Sequence, residues 1–187
     1  MARTASTMLA LGTTAPDFSL TDVISGKTIT RDQAAGERGL LVMFLCAHCP
    51  FVQHVNYELG RLGGDYANRG LGIVAISSND AETYPDDAPA GLRRQAEEHG
   101  FSFPYLFDES QEVARAYKAA CTPDFYLFSA DKKLVYRGQL DGSRPGNGVP
   151  VDGRDLRAAM DQVLAGKPVA TEQQPSIGCS IKWKQNG

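Results

Sequence analysis

The stretch that most constrains this chain is residues 40–52, Leu-Leu-Val-Met-Phe-Leu-Cys-Ala-His-Cys-Pro-Phe-Val. Its first six residues are apolar without alternation, the pattern of a strand buried on both faces in a helix-covered sheet. After Pro50 the apolar positions Phe51, Val55, Leu59, Leu62 and Tyr66 recur at steps of four and three, one stripe of an α-helix. A strand therefore runs through Cys46-Ala47-His48-Cys49 straight into a helix. Both thiols then lie at a helix N-terminus, where unpaired backbone N–H groups and the macrodipole favour negative charge. Thiolate is the attacking form of cysteine, so the placement suits making and breaking one disulfide.

The rest of the chain supplies a frame for that segment. Phe18 and Leu20 alternate with polar residues and lead through Ser25-Gly26-Lys27 to Thr28-Ile29-Thr30, a β-hairpin. The helix after the cysteines weakens at Gly63-Gly64 and ends by Gly70. Residues 71–77 form a second buried strand, and strand–helix–strand implies a right-handed parallel crossover. A Pro- and Asp-rich excursion over residues 83–91 delivers a helix near residues 92–99, with Gly100 as its cap. Residues 103–107 read as a third strand, and Asp108 with Gln111 has the spacing of a capping box. After Cys121-Thr122-Pro123, residues 125–128 and 134–136 form an antiparallel hairpin around Asp131-Lys132-Lys133. Beyond the loop 141–151 a last helix starts at Asp152, with Leu156, Met160, Val163 and Leu164 inward, and ends at Gly166 and Pro168. The expected result is one α/β domain over residues 1–187. It has a central mixed sheet flanked by helices, a flexible start over residues 1–11 and a tail over 169–187 without periodicity.

Composition narrows the function classes. A net charge of −3 gives no electrostatic case for nucleic acid or an anionic membrane. No apolar run approaches the roughly 20 residues that span a bilayer. The first residues lack a signal-peptide core, which points to a cytoplasmic protein. Four cysteines are too few for a disulfide scaffold in 187 residues; clustered as Cys46 and Cys49, they indicate redox chemistry or metal.

These features together resemble the thioredoxin superfamily. The order of elements, the Cys-x-x-Cys at the first crossover and Thr122-Pro123 before a late strand carry that resemblance. Ala15-Pro16-Asp17-Phe18 and the excursion after the second strand are similar to the redoxin branch, which holds the alkyl hydroperoxide reductase/thiol-specific antioxidant proteins. A group within it carries Phe-Leu-Cys-Ala-His-Cys-Pro-Phe-Val, Thr-Pro-Asp-Phe-Tyr-Leu-Phe and a tail like Ser176-Ile177-Gly178-Cys179-Ser180-Ile181-Lys182-Trp183. The resemblance covers residues 12–184. It implies that Cys46 attacks a partner and Cys49 resolves the mixed disulfide. It also implies that Pro123 is cis and faces the cysteines, leaving the backbone of Thr122 free to pair with a substrate strand. Pro50 fits best in the first helical turn, which would set Cys49 rather than Cys46 nearest the helix tip.

His48 as a cation beside a thiolate would stabilise the reduced form and make the couple more oxidising than thioredoxin's; the alternative is a solvent-facing ring with little coupling. His54 flanks the apolar stripe and reads as a boundary residue. Cys121 and Cys179 could form a second disulfide, relay with Cys46 and Cys49, or be unrelated buried thiols, with Cys179 leaning to the redox side and Cys121 to the inert one. Two departures stand out. No acid lies on residues 40–45, where thioredoxins carry one, and Val42 and Cys46 stand where peroxiredoxins carry Pro and Thr before the peroxidatic cysteine. The leading expectation is a thiol–disulfide oxidoreductase acting on protein or low-molecular-weight thiols with a reducing system and no cofactor. A thiol-dependent peroxidase is the alternative. A copper or zinc carrier using Cys46, Cys49 and His48 or His54 is the lesser one. The oligomeric state stays open.

Overall fold

The computed structural model describes residues 3–185. Seven strands form one mixed sheet in the order β3-β2-β6-β5-β4-β8-β9. They are β2 (Ser19–Asp22), β3 (Thr28–Thr30), β4 (Gly39–Phe44), β5 (Leu71–Ser77), β6 (Tyr105–Phe107), β8 (Asp124–Ser129) and β9 (Leu134–Tyr136). Strands β4, β5 and β6 run parallel, and β8 lies antiparallel along the other edge of β4. The apolar run divides as a strand must. Leu41, Met43 and Leu45 enter one core with α2 (Pro50–Tyr66), α3 (Pro89–His99) and α5 (Arg154–Leu164). Leu40, Val42 and Phe44 enter the other, which α4 (Glu112–Ala116) covers from the far side. Helices on both faces explain why β4 shows no alternation. Among the described residues no helix is long and apolar enough to cross a membrane.

The expected hairpin, crossover and late strand pair are all present. Helix α2 buries Val52 in place of Phe51, and it runs through Gly63-Gly64 without breaking. The reason at Gly63 is packing: a Cβ there would stand 2.8 Å from the ring of Phe103, so glycine lets the helix settle on that residue. A short α1 (Arg31–Ala34) with a Thr30/Gln33 capping box went unread. The Asp108–Gln111 capping box does not form. Asp108 is buried and accepts from Ser78 Oγ at 2.7 Å and Ala114 N at 3.0 Å, while the Gln111 amide donates to Ser78 O and Lys182 O. Asp108 still caps α4 through the first-turn amides of Val113 and Ala114, and only the reciprocal Gln111 bond is drawn away by tertiary partners.

Two corrections concern the termini. The segment 1–11 is not loose where described: Arg3–Ala5 forms β1 and Leu9 is buried, while Met1 and Ala2 lie outside the described residues. The tail forms β10 (Ile177–Ser180), which pairs antiparallel with β1 on one side and with β7 (Cys121–Thr122) on the other. It continues over the end of β5, where Asn79 Oδ1 accepts from Lys182 N at 2.9 Å and Lys182 O accepts from Asp80 N at 2.8 Å.

Candidate active site

Cys46 follows the end of β4, and Cys49 is the N-cap of α2 with Pro50 at the first helical position. The carbonyl of Cys49 accepts from Val52 N and Gln53 N, the usual bonding of a cap residue. Behind the loop, Gln95 Nε2 donates to Cys46 O at 3.2 Å and to Asn56 Oδ1, while Tyr105 Oη donates to Gln95 Oε1. In front lies the cis Thr122–Pro123 bond. Thr122 Oγ1 is 3.2 Å from Cys46 Sγ, and Cys49 Sγ is 3.3 Å from Thr122 O.

The two sulfurs are unequal. Cys49 is pushed down to about 5, first by the hydrogen bond from Cys46, then by Cys179 and the amides of Val52 and Cys179, against the opposing effect of burial. Cys46 moves well up, because it surrenders that hydrogen bond to Cys49 and is desolvated. The Thr122 carbonyl favours the protonated Cys49, but a single neutral acceptor is outweighed by several donors. The favoured charge thus sits at the helix cap on Cys49, the reverse of the order that the resemblance implied for an attacking Cys46.

His48 is not a loose surface ring. Its Nδ1 lies 2.5 Å from Asp87 Oδ2, and the ring stacks on Tyr84 at a centroid distance of 4.9 Å. Asp87 closes the short 3₁₀ turn Pro85–Asp87 in the excursion and is fully buried. Its other oxygen accepts the backbone N–H groups of Ala47 at 2.8 Å and His48 at 3.1 Å, and Asn79 Nδ2 donates to Oδ2 at 2.8 Å. Burial alone would raise the Asp87 carboxyl, but His48 and Asn79 hold it below its usual range. His48 rises in turn, chiefly through the Asp87 hydrogen bond and further through the Cys49 charge. The turn can approach because Gly91, against which it packs, leaves no room for a side chain beside the Asp86 carbonyl. Asp87, Asn79 and Gln95 all escaped the sequence reading. Only the Asp-rich character of residues 83–91 pointed at the first.

The remaining candidates separate. Cys179 on β10 stands opposite Thr122 and joins Cys46 and Cys49 in one buried cluster. Cys121 stands opposite Ser180, one residue out of step, so its side chain leaves the strand on the other face. It donates to Pro123 O at 3.8 Å, and burial drives its pKa upward. That register opposes a Cys121–Cys179 disulfide. His54 lines a narrow cleft with Phe51 and Pro123, apart from the sulfurs. Cys46, His48 and Asp87 offer ligand atoms within 4.8 Å of one another, but the Asp87 oxygens are already engaged by four donors. The missing acid on β4 is not replaced at the dithiol. Buried Asp124, raised to about 7 by desolvation, stands opposite Phe44 and so on the face away from it.

The site is closed to solvent, with Cys46 and Cys49 each 0% exposed. The Thr122 backbone is not free for a substrate strand, because β10 of the same chain already pairs there.

A dithiol at the cap of the first crossover helix, facing a cis-proline loop across a mixed sheet, defines a thioredoxin-like protein. Within that class, residues 11–137 match the AhpC/TSA family, and the chain belongs to it. Thiol-disulfide oxidoreductase ResA of Halalkalibacterium halodurans is 26% identical over 66% of this chain, which spans 65% of that relative's length. A solved structure of an uncharacterized conserved protein from Geobacillus kaustophilus is 55% identical. It superposes with a TM-score of 0.97 over 100% of this chain and 99% of that one. A hypothetical protein from Sinorhizobium meliloti 1021 is 49% identical, with a TM-score of 0.95 over 98% and 100% of the two chains.

Proposed function

We propose that the chain is a thiol–disulfide oxidoreductase acting on disulfides of proteins or low-molecular-weight thiols through Cys46 and Cys49. The Cys49 thiolate attacks one sulfur of the substrate disulfide, and the other sulfur leaves as thiolate. Cys46 then attacks the Cys49 sulfur of the mixed disulfide, releases the second substrate thiol and leaves Cys46–Cys49 oxidised. An external dithiol returns the pair to its reduced form, and no cofactor enters. Asp87 raises the His48 pKa, and the protonated ring adds positive charge near Cys49. Because these donors favour the reduced thiolate, the couple is more oxidising than thioredoxin's. A cytoplasmic setting fits the low cysteine content, and there the resting enzyme is mostly dithiol. The Phe-Leu-Cys-Ala-His-Cys-Pro-Phe-Val signature supports the reading that the chain is part of a narrower group within its family.

The observation that carries this reading is the placement of the two sulfurs at the α2 cap against the cis Thr122–Pro123 bond. Cys46 Sγ is 3.2 Å from Thr122 Oγ1 and Cys49 Sγ 3.3 Å from Thr122 O, where neighbouring donors pull the Cys49 thiol down to about 5. A chromogenic aromatic disulfide mixed with the reduced protein at about pH 6 tests it, because an ordinary thiol near 8.5 is then only about 0.3% ionised. Cys46→Ser should still release chromophore about a hundredfold faster than Cys49→Ser, allowing for the weaker nucleophile that a low pKa gives. The reverse ranking would return the attack to Cys46.

The family match favours a second reading, peroxide reduction. There the Cys49 thiolate attacks a peroxide oxygen, expels hydroxide or alkoxide as sulfenic acid forms, and Cys46 condenses with loss of water. Val42 opposes it, since the position that carries Pro in peroxiredoxins points into the core away from the dithiol. Peroxide consumption coupled to a dithiol reductant, measured beside disulfide reduction, separates the two.

A further inference from the structure

The tail that covers the dithiol also brings a third thiol to it. Strand β10 lies along Cys121-Thr122 and packs against α2, and its register sets Cys179 opposite Thr122, on the same side as both active-site sulfurs. Gly178 makes the approach possible, since a Cβ there would collide with the carbonyl of Thr122. Cys179 then meets Cys49 twice, with its backbone N–H and with its thiol. The Cys179 sulfur also takes the backbone N–H of Phe51 from the first turn of α2. Cys49 is thus the middle member of three sulfurs, with Cys46 on one side and Cys179 on the other.

The strand is fixed on both flanks. Pairing with β1 holds one edge of it, and Ser176 Oγ donates to Pro123 O at 2.6 Å just before it begins. Just after it, Ile181 N donates to Ala120 O, and Lys182 is tied to Asn79, whose amide also donates to Asp87. Such anchoring holds the thiol against the site, which a disordered tail would not do.

We propose that Cys179 is a third catalytic thiol, exchanging with the Cys46–Cys49 disulfide so that the oxidised chain divides between Cys46–Cys49 and Cys49–Cys179. The Cys179 sulfur attacks that of Cys49, the Cys46–Cys49 bond breaks, and Cys46 leaves with the electron pair. The proton lost by Cys179 ends on Cys46, so the step consumes no oxidant, reductant or external acid. It needs only a Cys46–Cys49 disulfide, and in that respect it rests on the function proposed above. The product frees Cys46 while the oxidising equivalent stays on Cys49, now tied to the tail strand. The same geometry lets Cys179 resolve a substrate mixed disulfide on Cys49 when Cys46 is absent.

The test uses the full chain, oxidised with glutathione disulfide, quenched in acid, alkylated and mapped by peptide mass spectrometry. In the wild type, the peptide carrying Cys46 and Cys49 should be found partly linked to the peptide carrying Cys179, and Cys179→Ser should abolish that link. In Cys46→Ser the glutathione adduct on Cys49 should pass to a Cys49–Cys179 disulfide. Adding Cys179→Ser should lengthen the adduct's lifetime at least about tenfold. A wild type that shows Cys46–Cys49 alone, with Cys179 fully alkylated and an adduct on Cys46→Ser that persists, overturns the third-thiol assignment and leaves the couple standing. A wild type with no disulfide at all overturns the couple instead. Should Cys46→Ser fold poorly, the wild-type map decides alone.

Discussion

Replacing Asp87 by Asn removes one charge from the buried group that organises the Cys-x-His-Cys loop. Each Asp87 oxygen accepts two donors: Oδ1 takes the amides of Ala47 and His48, and Oδ2 takes the His48 ring and the Asn79 amide. Asparagine keeps one carbonyl oxygen, so its amide nitrogen must face one of those pairs as donor against donor. Two charge-assisted bonds are lost at roughly 1.5–3 kcal/mol each. His48 is partly solvated, which argues for the lower end, so the expected destabilisation is about 3 kcal/mol. That is a large share of the roughly 5–15 kcal/mol that holds a domain together.

The pH dependence follows from the two shifts. His48 is raised in the folded state, so its share of the stability is complete below about 6.5 and lost as pH rises through the folded value. Asp87 is lowered, so its share is present above about 3.9 and lost as pH falls through its folded value. The deficit of Asp87→Asn is therefore largest between about pH 4 and 6.5 and shrinks on either side. Urea unfolding of the reduced protein across that range, with an NMR titration of His48, measures both effects. If His48 titrates at the same pH in both proteins, or the loss stays below about 1 kcal/mol, the carboxylate is not the loop's organiser.

Ultraviolet titration of the reduced protein should show thiolate absorbance persisting down to about pH 5, and Cys49→Ser should abolish that step while Cys121→Ser leaves it. Thr122→Val removes the hydroxyl 3.2 Å from Cys46 Sγ at nearly constant volume and should lower stability by about 0.5–1.5 kcal/mol in chemical denaturation. Gly178→Ala should push β10 off Thr122. Amide exchange across residues 177–180 should accelerate and alkylation of the dithiol should quicken, with β4 and β5 unchanged; unaltered exchange would refute the packing argument. Asp124, raised to about 7, contributes stability that is complete below about 3.9 and lost as pH rises through about 7. The stability difference between wild type and Asp124→Asn should therefore fall as pH rises from about 4 to 7, as followed by thermal melts of the two proteins side by side.

What was legible in the sequence is what a periodic pattern can encode. Residues 71–77 form a strand as read, because seven residues without charge between a helix end and a polar loop leave little else for them. The crossover helix, the hairpins and Gly100 as the left-handed cap of α3 follow in the same way. Short elements held by remote partners were not legible. Strand β1 has three residues and exists only because β10 lies beside it, and β10 itself is four residues without alternation. Asp87 was equally hidden. It follows another acid in a loop, and its partners Ala47 and His48 precede it by about forty positions.

Those same remote contacts decide the chemistry. In the sequence Cys46 and Cys49 are two equal thiols, and only family precedent ranks them. In the folded chain Pro50 starts α2, which makes Cys49 the cap and brings the amide of Val52, bonded to the Cys49 carbonyl, near its sulfur as well, while Thr122 and β10 supply the remaining neighbours. A thiolate with no exposed surface is tenable only because it is surrounded by donors, for an unpaired buried charge would take up a proton instead. The covering strand is therefore part of what makes Cys49 acidic, through the Cys179 thiol and amide. Lifting the tail must expose the sulfur and remove the Cys179 donors together, so access and reactivity at this site are set by the same four residues.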